Sequence, residues 1–238
     1  MSISLTSFEL EPACSVLVDR LLPLPSSSWR QQTQNWFCCV NKLASPPPVY
    51  LKVRDVLYGA GVCVFHQQSF EETATRDEGG RVLCRTCGAD LGSRVEDSVE
   101  VWSHSVVAST ADGKSRLNGK ISSYFDNFAL LLLSRLDDPG TIMPKLQFSN
   151  PAGNQRIQVW VVDKTLECYQ SEQLKLIPNK FAKILYKVSK ESDPNFDDVI
   201  VSERMLTDSL EHLNQSCDSF PSDLKFANGF QVAYVKYL

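Results

Sequence analysis

No apolar run in this chain approaches the ~18–20 residues that a membrane-spanning helix requires. The longest, from Phe128 to Leu133, has the size of a core segment. Positive charge is not in excess either. Lys and Arg number 24 against 28 Asp and Glu, a net charge of −4. A chain with that balance lacks the basic face of a sequence-independent nucleic-acid binder, so no direct nucleic-acid contact is expected. The sequence contains no Gly-x-x-x-x-Gly-Lys, no Gly-x-Gly-x-x-Gly and no Gly-x-Ser-x-Gly. Phosphate-cradling loops, dinucleotide sites and hydrolase elbows are therefore without support. Histidine is scarce, only His66, His104 and His212, so few general bases are on hand for nucleophilic catalysis. The first residues lack a basic stretch followed by an apolar one, which predicts no secretory signal, no membrane partner and a cytosolic or nuclear location. Thiols stay reduced there.

Against that background the eight cysteines stand out: Cys14, Cys38, Cys39, Cys63, Cys84, Cys87, Cys168 and Cys217. In a reducing compartment clustered cysteines are metal ligands or nucleophiles more often than disulfides. The sharpest cluster is Cys84-x-x-Cys87-Gly88. Two intervening residues let both thiolates point at one ion from a tight turn. The following glycine supplies the positive φ that such a turn uses. A redox Cys-x-x-Cys would follow a strand and open a helix, whereas Gly88 and Asp90-Leu-Gly92 predict a turn into a strand. One knuckle offers two of four tetrahedral ligands. The expected source of the rest is Cys38 and Cys39, either both of them or one together with Cys63, His66 or His104; Cys39 can also be read as a small buried hydrophobe. Cys63 and His66 are three residues apart on a strand-like stretch and face opposite sides, which argues against a catalytic dyad. Cys168 and Cys217 have no evident base and read as structural.

With 238 residues the chain is long enough for one to two domains. Turn-rich breaks fall at 45–48, 71–80, 137–140 and 192–195, and the charged 71–80 stretch has the composition of a solvated loop. Alternating patterns predict strands over 56–66 (with a bend at Gly59 and Gly61), 99–107, 156–163, 181–188 and 230–237, and pairing of 2–10 with 15–22. Helical spacing of Ile121, Phe125, Phe128, Leu132 and Leu136 predicts a helix over 122–136. Leu206, Leu210 and Leu213 predict a second beginning at Ser202, and a short helix is expected over 28–36. No regular βαβ alternation is visible, so the predicted class is α+β, strand-rich with two main helices and a zinc-knuckle-like site. The expected division is a strand-rich part over 1–115 and an α+β part over 116–238, forming one compact unit.

The block Leu22-Pro23-Leu24-Pro25 with Trp29, Trp36, Phe37, Cys38 and Cys39 resembles the signature of the HECT-like ubiquitin-conjugating enzyme (E2)-binding proteins. The likeness continues through Cys84-x-x-Cys87-Gly88-x-x-Leu91-Gly92 and more loosely through Gln158-Val-Trp160 and 229–234. It implies an E2 partner and ubiquitin-protein ligase activity, either through a thioester on the ligase or by a scaffold that orients a charged E2. It also implies a partner-binding surface at Leu22, Pro23, Leu24, Pro25, Trp29, Trp36 and Phe37, and is compatible with a structural zinc on Cys38, Cys39, Cys84 and Cys87. The same family is linked to pre-mRNA 3′-end processing. That link implies an alternative: a non-catalytic partner, chaperone or inhibitor, of a metallo-β-lactamase-type endonuclease.

Overall fold

Alternating apolar residues bounded by Gly, Asp and Asn turns make much of the described chain extended, and the described strands pair into three sheets. The computed structural model describes residues 5–10, 14–24, 51–70, 74–110, 113–116, 121, 123–136, 144–172 and 175–237. The expected 28–36 helix lies outside them. The chain divides into Met1–Gly119 and Lys120–Leu238.

The first unit holds strands β1 (Leu5–Leu10), β2 (Cys14–Val16), β3 (Arg20–Pro23), β4 (Asp55–Tyr58), β5 (Val62–His66), β6 (Thr75–Glu78), β7 (Arg81–Cys84), β8 (Asp90–Val95), β9 (Ser98–Trp102), β10 (Val106–Thr110) and β11 (Gly113–Arg116). Seven of them form one sheet in the order β3-β4-β5-β9-β8-β7-β6, and four form an antiparallel sheet β11-β10-β1-β2. The predicted strand over 56–66 is a hairpin, because Gly61 at φ 79° turns the chain between β4 and β5. The 99–107 stretch is likewise two strands. A 3₁₀ turn at Ser103–Ser105 carries the chain from one sheet to the other. The 71–80 stretch is not all loop: β6 is the outermost strand, closed onto β7 by Gly79 and Gly80, both at positive φ. The expected 2–10 with 15–22 pairing is realised by β1 and β2 only, since Arg20–Pro23 leaves to pair parallel with β4.

Val56, Cys63, Phe65, Val82, Cys84, Val99 and Val101 of the seven-stranded sheet share one core with Val16 and Val106 of the other. Two further devices fix this sheet. Arg20 grips Asp55 across β3 and β4 with two charge-assisted bonds, of 2.8 and 2.5 Å. The Arg20 guanidinium holds the Asp55 carboxyl below its ordinary value although burial opposes this. In β8 a bulge leaves Leu91 as an extra residue between Asp90 and Gly92. At Gly92 (φ 154°) the backbone of β9 lies so close that an added Cβ would stand 1.8 Å from the Glu100 carbonyl oxygen.

The second unit has β12 (Lys145–Ser149), β13 (Arg156–Glu172), β14 (Lys175–Ser189), β15 (Asp197–Ile200), β16 (Phe226–Ala227) and β17 (Phe230–Lys236), in the order β15-β12-β13-β14-β17-β16, with β15 parallel to β12. Its helices are α1 (Tyr124–Ser134) and α2 (Glu203–Asp218). Ser123 and Asp126 form a reciprocal capping box on α1, and Ser202 caps α2 by accepting from Met205 N at 3.1 Å. The stripe predicted for α1 is buried at Ile121, Phe128, Leu132 and Leu136. On α2 the buried stripe is Met205, Leu206, Ser209, Leu213 and Cys217, so Leu210 turns half outward. Ile157, Val159 and Val161 face the core as their alternation predicts, but β13 and β14 run far beyond the predicted ends. No helix among the described residues is long and apolar enough to cross a membrane. The class is α+β, and the described residues are strand-rich, with two mixed sheets and two α-helices among them.

Replacing Gly92 by Ala should cost about 3 kcal/mol or more, because the clash is with backbone and cannot be relieved by a rotamer. Chemical denaturation of G92A against the parent protein measures this, and a loss below about 1 kcal/mol would contradict the close approach.

Candidate functional site

Cys84 ends β7 and Asp90 begins β8, so the Cys-x-x-Cys segment is the turn of a β-hairpin. The turn is closed by Cys84 N donating to the Ala89 carbonyl at 2.8 Å and Gly88 N donating to the Cys84 carbonyl at 2.9 Å. Gly88 has φ 73°, the conformation the sequence assigned to it. This is the strand–turn–strand context of a metal knuckle, not the strand–turn–helix of a redox pair.

Below the turn the hairpin is clamped. Arg81 Nε and a terminal nitrogen donate to Asp90 Oδ2 at 3.1 and 2.9 Å, while Asp90 Oδ1 accepts from Gly92 N at 3.1 Å. Arg85, within the turn, donates its backbone N–H to the Ala74 carbonyl and its Nε to the Thr75 carbonyl, at 3.1 and 2.7 Å. The turn is thus tied to β6 as well as to β8.

The electrostatics of the two sulfurs differ. Cys84 is buried and Cys87 is exposed. Burial pushes the Cys84 thiol upward, yet its ionisation falls below the ordinary value. Hydrogen bonds to Sγ from the backbone N–H groups of Cys87 and Thr86, with side-chain bonds from the same residues, outweigh the burial. Backbone donors aimed at a sulfur stabilise a thiolate, the form that ligates a metal.

The remaining sequence-nominated groups are placed as follows. Cys63 lies on β5, three strands away from Cys84 across β9 and β8, about 14 Å at ~4.8 Å per strand. Sulfurs sharing a zinc ion, with Zn–S bonds of ~2.3 Å, stand within ~4 Å of each other, so Cys63 does not complete this site. It packs in the core, 3.9 Å from Ser103 Oγ. Burial pushes its thiol up to about 12, which the Ser103 contact only partly offsets. His66 uses Nδ1 to accept from Gln68 N at 3.2 Å and caps a 3₁₀ turn, so the two residues form no dyad. Cys217 is buried in α2 with its thiol toward the Lys225 carbonyl, and Cys168 is half-buried within β13. Among the described residues no three His, Cys, Asp or Glu side chains converge where they could hold a metal ion. Pro25, Trp29, Trp36, Phe37, Cys38 and Cys39 lie outside the described residues.

Of the proline–tryptophan block, Leu22, Pro23 and Leu24 are described. Leu22 and Pro23 belong to β3, the outermost strand on the side opposite β6. Leu24 N donates to the Tyr58 carbonyl at 2.7 Å. Leu22 and Tyr58 remain 37% and 43% exposed, so this edge presents apolar surface. A proline on an edge strand removes a donor without breaking a ladder bond. From β3 to β7 is five strand spacings, about 24 Å. The 14 residues from Leu24 to Cys38, and the 12 from Cys39 to Leu51, span more than that at ~3.3 Å per residue. The chain between β3 and β4 therefore has the reach to bring Cys38 and Cys39 to the knuckle and return.

The first unit is thus strand-rich, with a thiol knuckle near one edge of its seven-stranded sheet and a proline-bearing apolar strand at the other. A comparison with family models matches the chain over residues 14–232 to the HECT-like ubiquitin-conjugating enzyme (E2)-binding family. The protein belongs to that family. Comparisons with curated proteins and with solved structures find no match.

Sequence reading did not find the Arg20–Asp55 clamp or a polar cleft of roughly 740 Å³ beside β6, lined by Gln67, Phe70, Arg76, Asp77, Arg85 and Arg94 among others. Neither has a local motif.

The state of Cys63 is open to direct measurement. At pH 8 a thiol that ionises near 12 is thiolate in about one molecule in ten thousand. Iodoacetamide should modify Cys63 in the folded protein at least about a thousandfold more slowly than in the denatured protein, read by peptide mass spectrometry. Comparable rates would contradict its burial.

Proposed function

We propose that this protein binds a ubiquitin-conjugating enzyme and promotes transfer of ubiquitin from it, acting as a scaffold ligase whose recognition surface is braced by a structural zinc. The observation that carries the reading is the match to the E2-binding family over residues 14–232, which extends through both units.

A scaffold needs no nucleophile of its own. A substrate amine attacks the thioester carbonyl on the E2. The new C–N bond forms as the C–S bond breaks, and the E2 cysteine leaves as thiolate while the amine loses a proton. The scaffold's part is to hold E2 and thioester in a reactive arrangement. Cys63, buried with its thiol raised to about 12, is unsuited to a relay through a ligase thioester, and this proposal gives Cys84 and Cys87 to the metal. The contact surface in this proposal is Leu22, Pro23 and Leu24 on β3 together with Pro25, Trp29, Trp36 and Phe37. Proline and aromatic residues give large, stiff anchors at low entropy cost.

The zinc in this proposal is held by Cys84 and Cys87 with Cys38 and Cys39. Its support is the hairpin turn with positive φ at Gly88, the backbone N–H groups directed at Cys84 Sγ, and the reach of the chain between Leu24 and Leu51. Such an ion closes a loop of roughly 45 residues, which restrains the unfolded chain and fixes the aromatic block against the sheet. The nuclease-partner reading draws on no described residue and is left as an outcome of the test.

Two measurements decide these points. Cys84→Ser should lose about one zinc per chain by elemental analysis and lower Tm. Full zinc content with an unchanged Tm would overturn the site. Single-turnover discharge of ubiquitin-loaded E2 enzymes should accelerate at least about tenfold with the protein present. No acceleration across a broad E2 panel, with a nuclease complex rather than an E2 co-purifying from cells, would overturn the ligase reading.

A further inference from the structure

Strand β3 needs more than its ladder to stay in place. It has four residues, one of them a proline, and it pairs in parallel with β4 at the outer edge of the seven-stranded sheet. Such a pairing is weak. Burial adds little, because Arg20, Leu22 and Pro23 are exposed and only Leu21 packs, partly buried, against the core. A strand without a clear buried face is also free to slip, and a slip of one residue turns every side chain to the other side.

One carboxylate supplies both the attachment and the register. Asp55 is the first residue of β4 and is 4% exposed. A buried carboxylate is costly unless its oxygens are bonded, and these are. Oδ1 accepts from Arg20 Nε at 2.8 Å, and Oδ2 accepts from a terminal nitrogen of Arg20 at 2.5 Å and from Lys52 N at 3.3 Å. Asp55 N donates in turn to the Lys52 carbonyl at 3.0 Å. The same side chain therefore holds β3, from which the chain departs, and the turn through which it returns. Within that turn Arg54 has φ 71°, an uncommon conformation for a residue with a Cβ. Its carbonyl accepts from Asp19 N at 2.8 Å, and its N–H donates to Ser69 Oγ at 3.3 Å. The other ion pair near β3, Arg54 with Asp19 at 3.9 Å, joins two side chains more than half exposed and contributes little.

We propose that Asp55, acting through Arg20, is a positioning residue for the partner-binding edge, fixing the register of β3 and so aiming Leu22, Pro23 and Leu24 at the ubiquitin-conjugating enzyme. Asp55 is buried and touches no partner itself. The proposal rests on the E2-binding reading of that edge, whereas the hold of Asp55 on β3 does not.

Two measurements on the whole protein separate these questions. The first is hydrogen exchange. In Asp55→Asn the peptide spanning Arg20–Leu24 should exchange at least about tenfold faster than in the parent, while that spanning Val62–His66 on β5 is unchanged. The second is steady-state discharge of the most responsive ubiquitin-loaded E2 to free lysine, with the loaded E2 varied. Asp55→Asn should raise KM about tenfold and leave kcat within about twofold, as loss of binding alone requires. A variant that merely unfolds in part has fewer active molecules, which lowers kcat and leaves KM in place. Arg20→Lys keeps the charge but loses the fork, so its KM should fall between parent and Asp55→Asn. The Arg20→Gln, Asp55→Asn pair should raise KM no further than Asp55→Asn alone, because both changes remove one contact. Unchanged exchange in β3, an unchanged KM beside an active parent, a fall in kcat alone, or additive losses in the double variant would each overturn the proposal. A parent inactive on every E2 would overturn it through the reading on which it rests, and the exchange measurement tells that failure from a carboxylate that does not hold β3.

Discussion

Strands β8 and β9 meet at Gly92 with no room for a side chain, and the organisation of the first unit depends on that contact. The Glu100 carbonyl occupies the place a Cβ would take. The bulge at Leu91 makes the approach possible. It shifts the register between β7 and β8, buries Leu91, and leaves Asp90 free to bind both Arg81 and the Gly92 N–H. Everything outward from β8, namely β7, the cysteine turn and β6, takes its position from this junction. So does the polar cleft, whose Arg94 and Arg85 belong to β8 and to the turn after β7.

The opposite edge is held by a different force. Strand β3 has four residues and pairs in parallel with β4, a weak attachment by backbone hydrogen bonds alone. The Arg20–Asp55 pair adds two charge-assisted bonds at the first register position. The Leu22-Pro23-Leu24 surface is presented from that clamp. The sheet thus carries a proline-bearing apolar edge at one end and a thiol turn near the other. Segment 25–50 is the covalent link that leaves the first and returns beside it.

A good part of this was legible locally. The turn at Cys84–Gly88, its positive φ and the strand after it follow from glycine chemistry and the two-residue spacing. The start of α2 at Ser202 and the apolar stripe of α1 follow from helical spacing, whereas the Ser123 cap of α1 was not read from the sequence. The family is legible in the proline, tryptophan and cysteine block. Other features were not legible. Gly59 and Gly61 read as a bend within a strand but make a hairpin, since a composition window does not distinguish a bulge from a reversal. The charged 71–80 stretch reads as loop because an edge strand needs no apolar alternation. Its partner β7 supplies the hydrogen bonds and solvent accepts the charges. On α2, Ser209 rather than Leu210 faces inward, because packing against β17 and α1 sets the helix rotation.

The sequence by itself determined the α+β class, the two helices, the knuckle turn and family membership, because each rests on interactions between residues close along the chain or on an unusual combination of residue types. Tertiary structure alone decided which strands are neighbours. Sheet order separates Cys63 from Cys84 by three strands, and it brings Asp77 and Arg94 from two hairpins to one cleft. Strand pairing is a contest among many segments of similar hydrophobicity. Its outcome depends on bulges, close approaches and single ion pairs whose partners lie tens of residues apart.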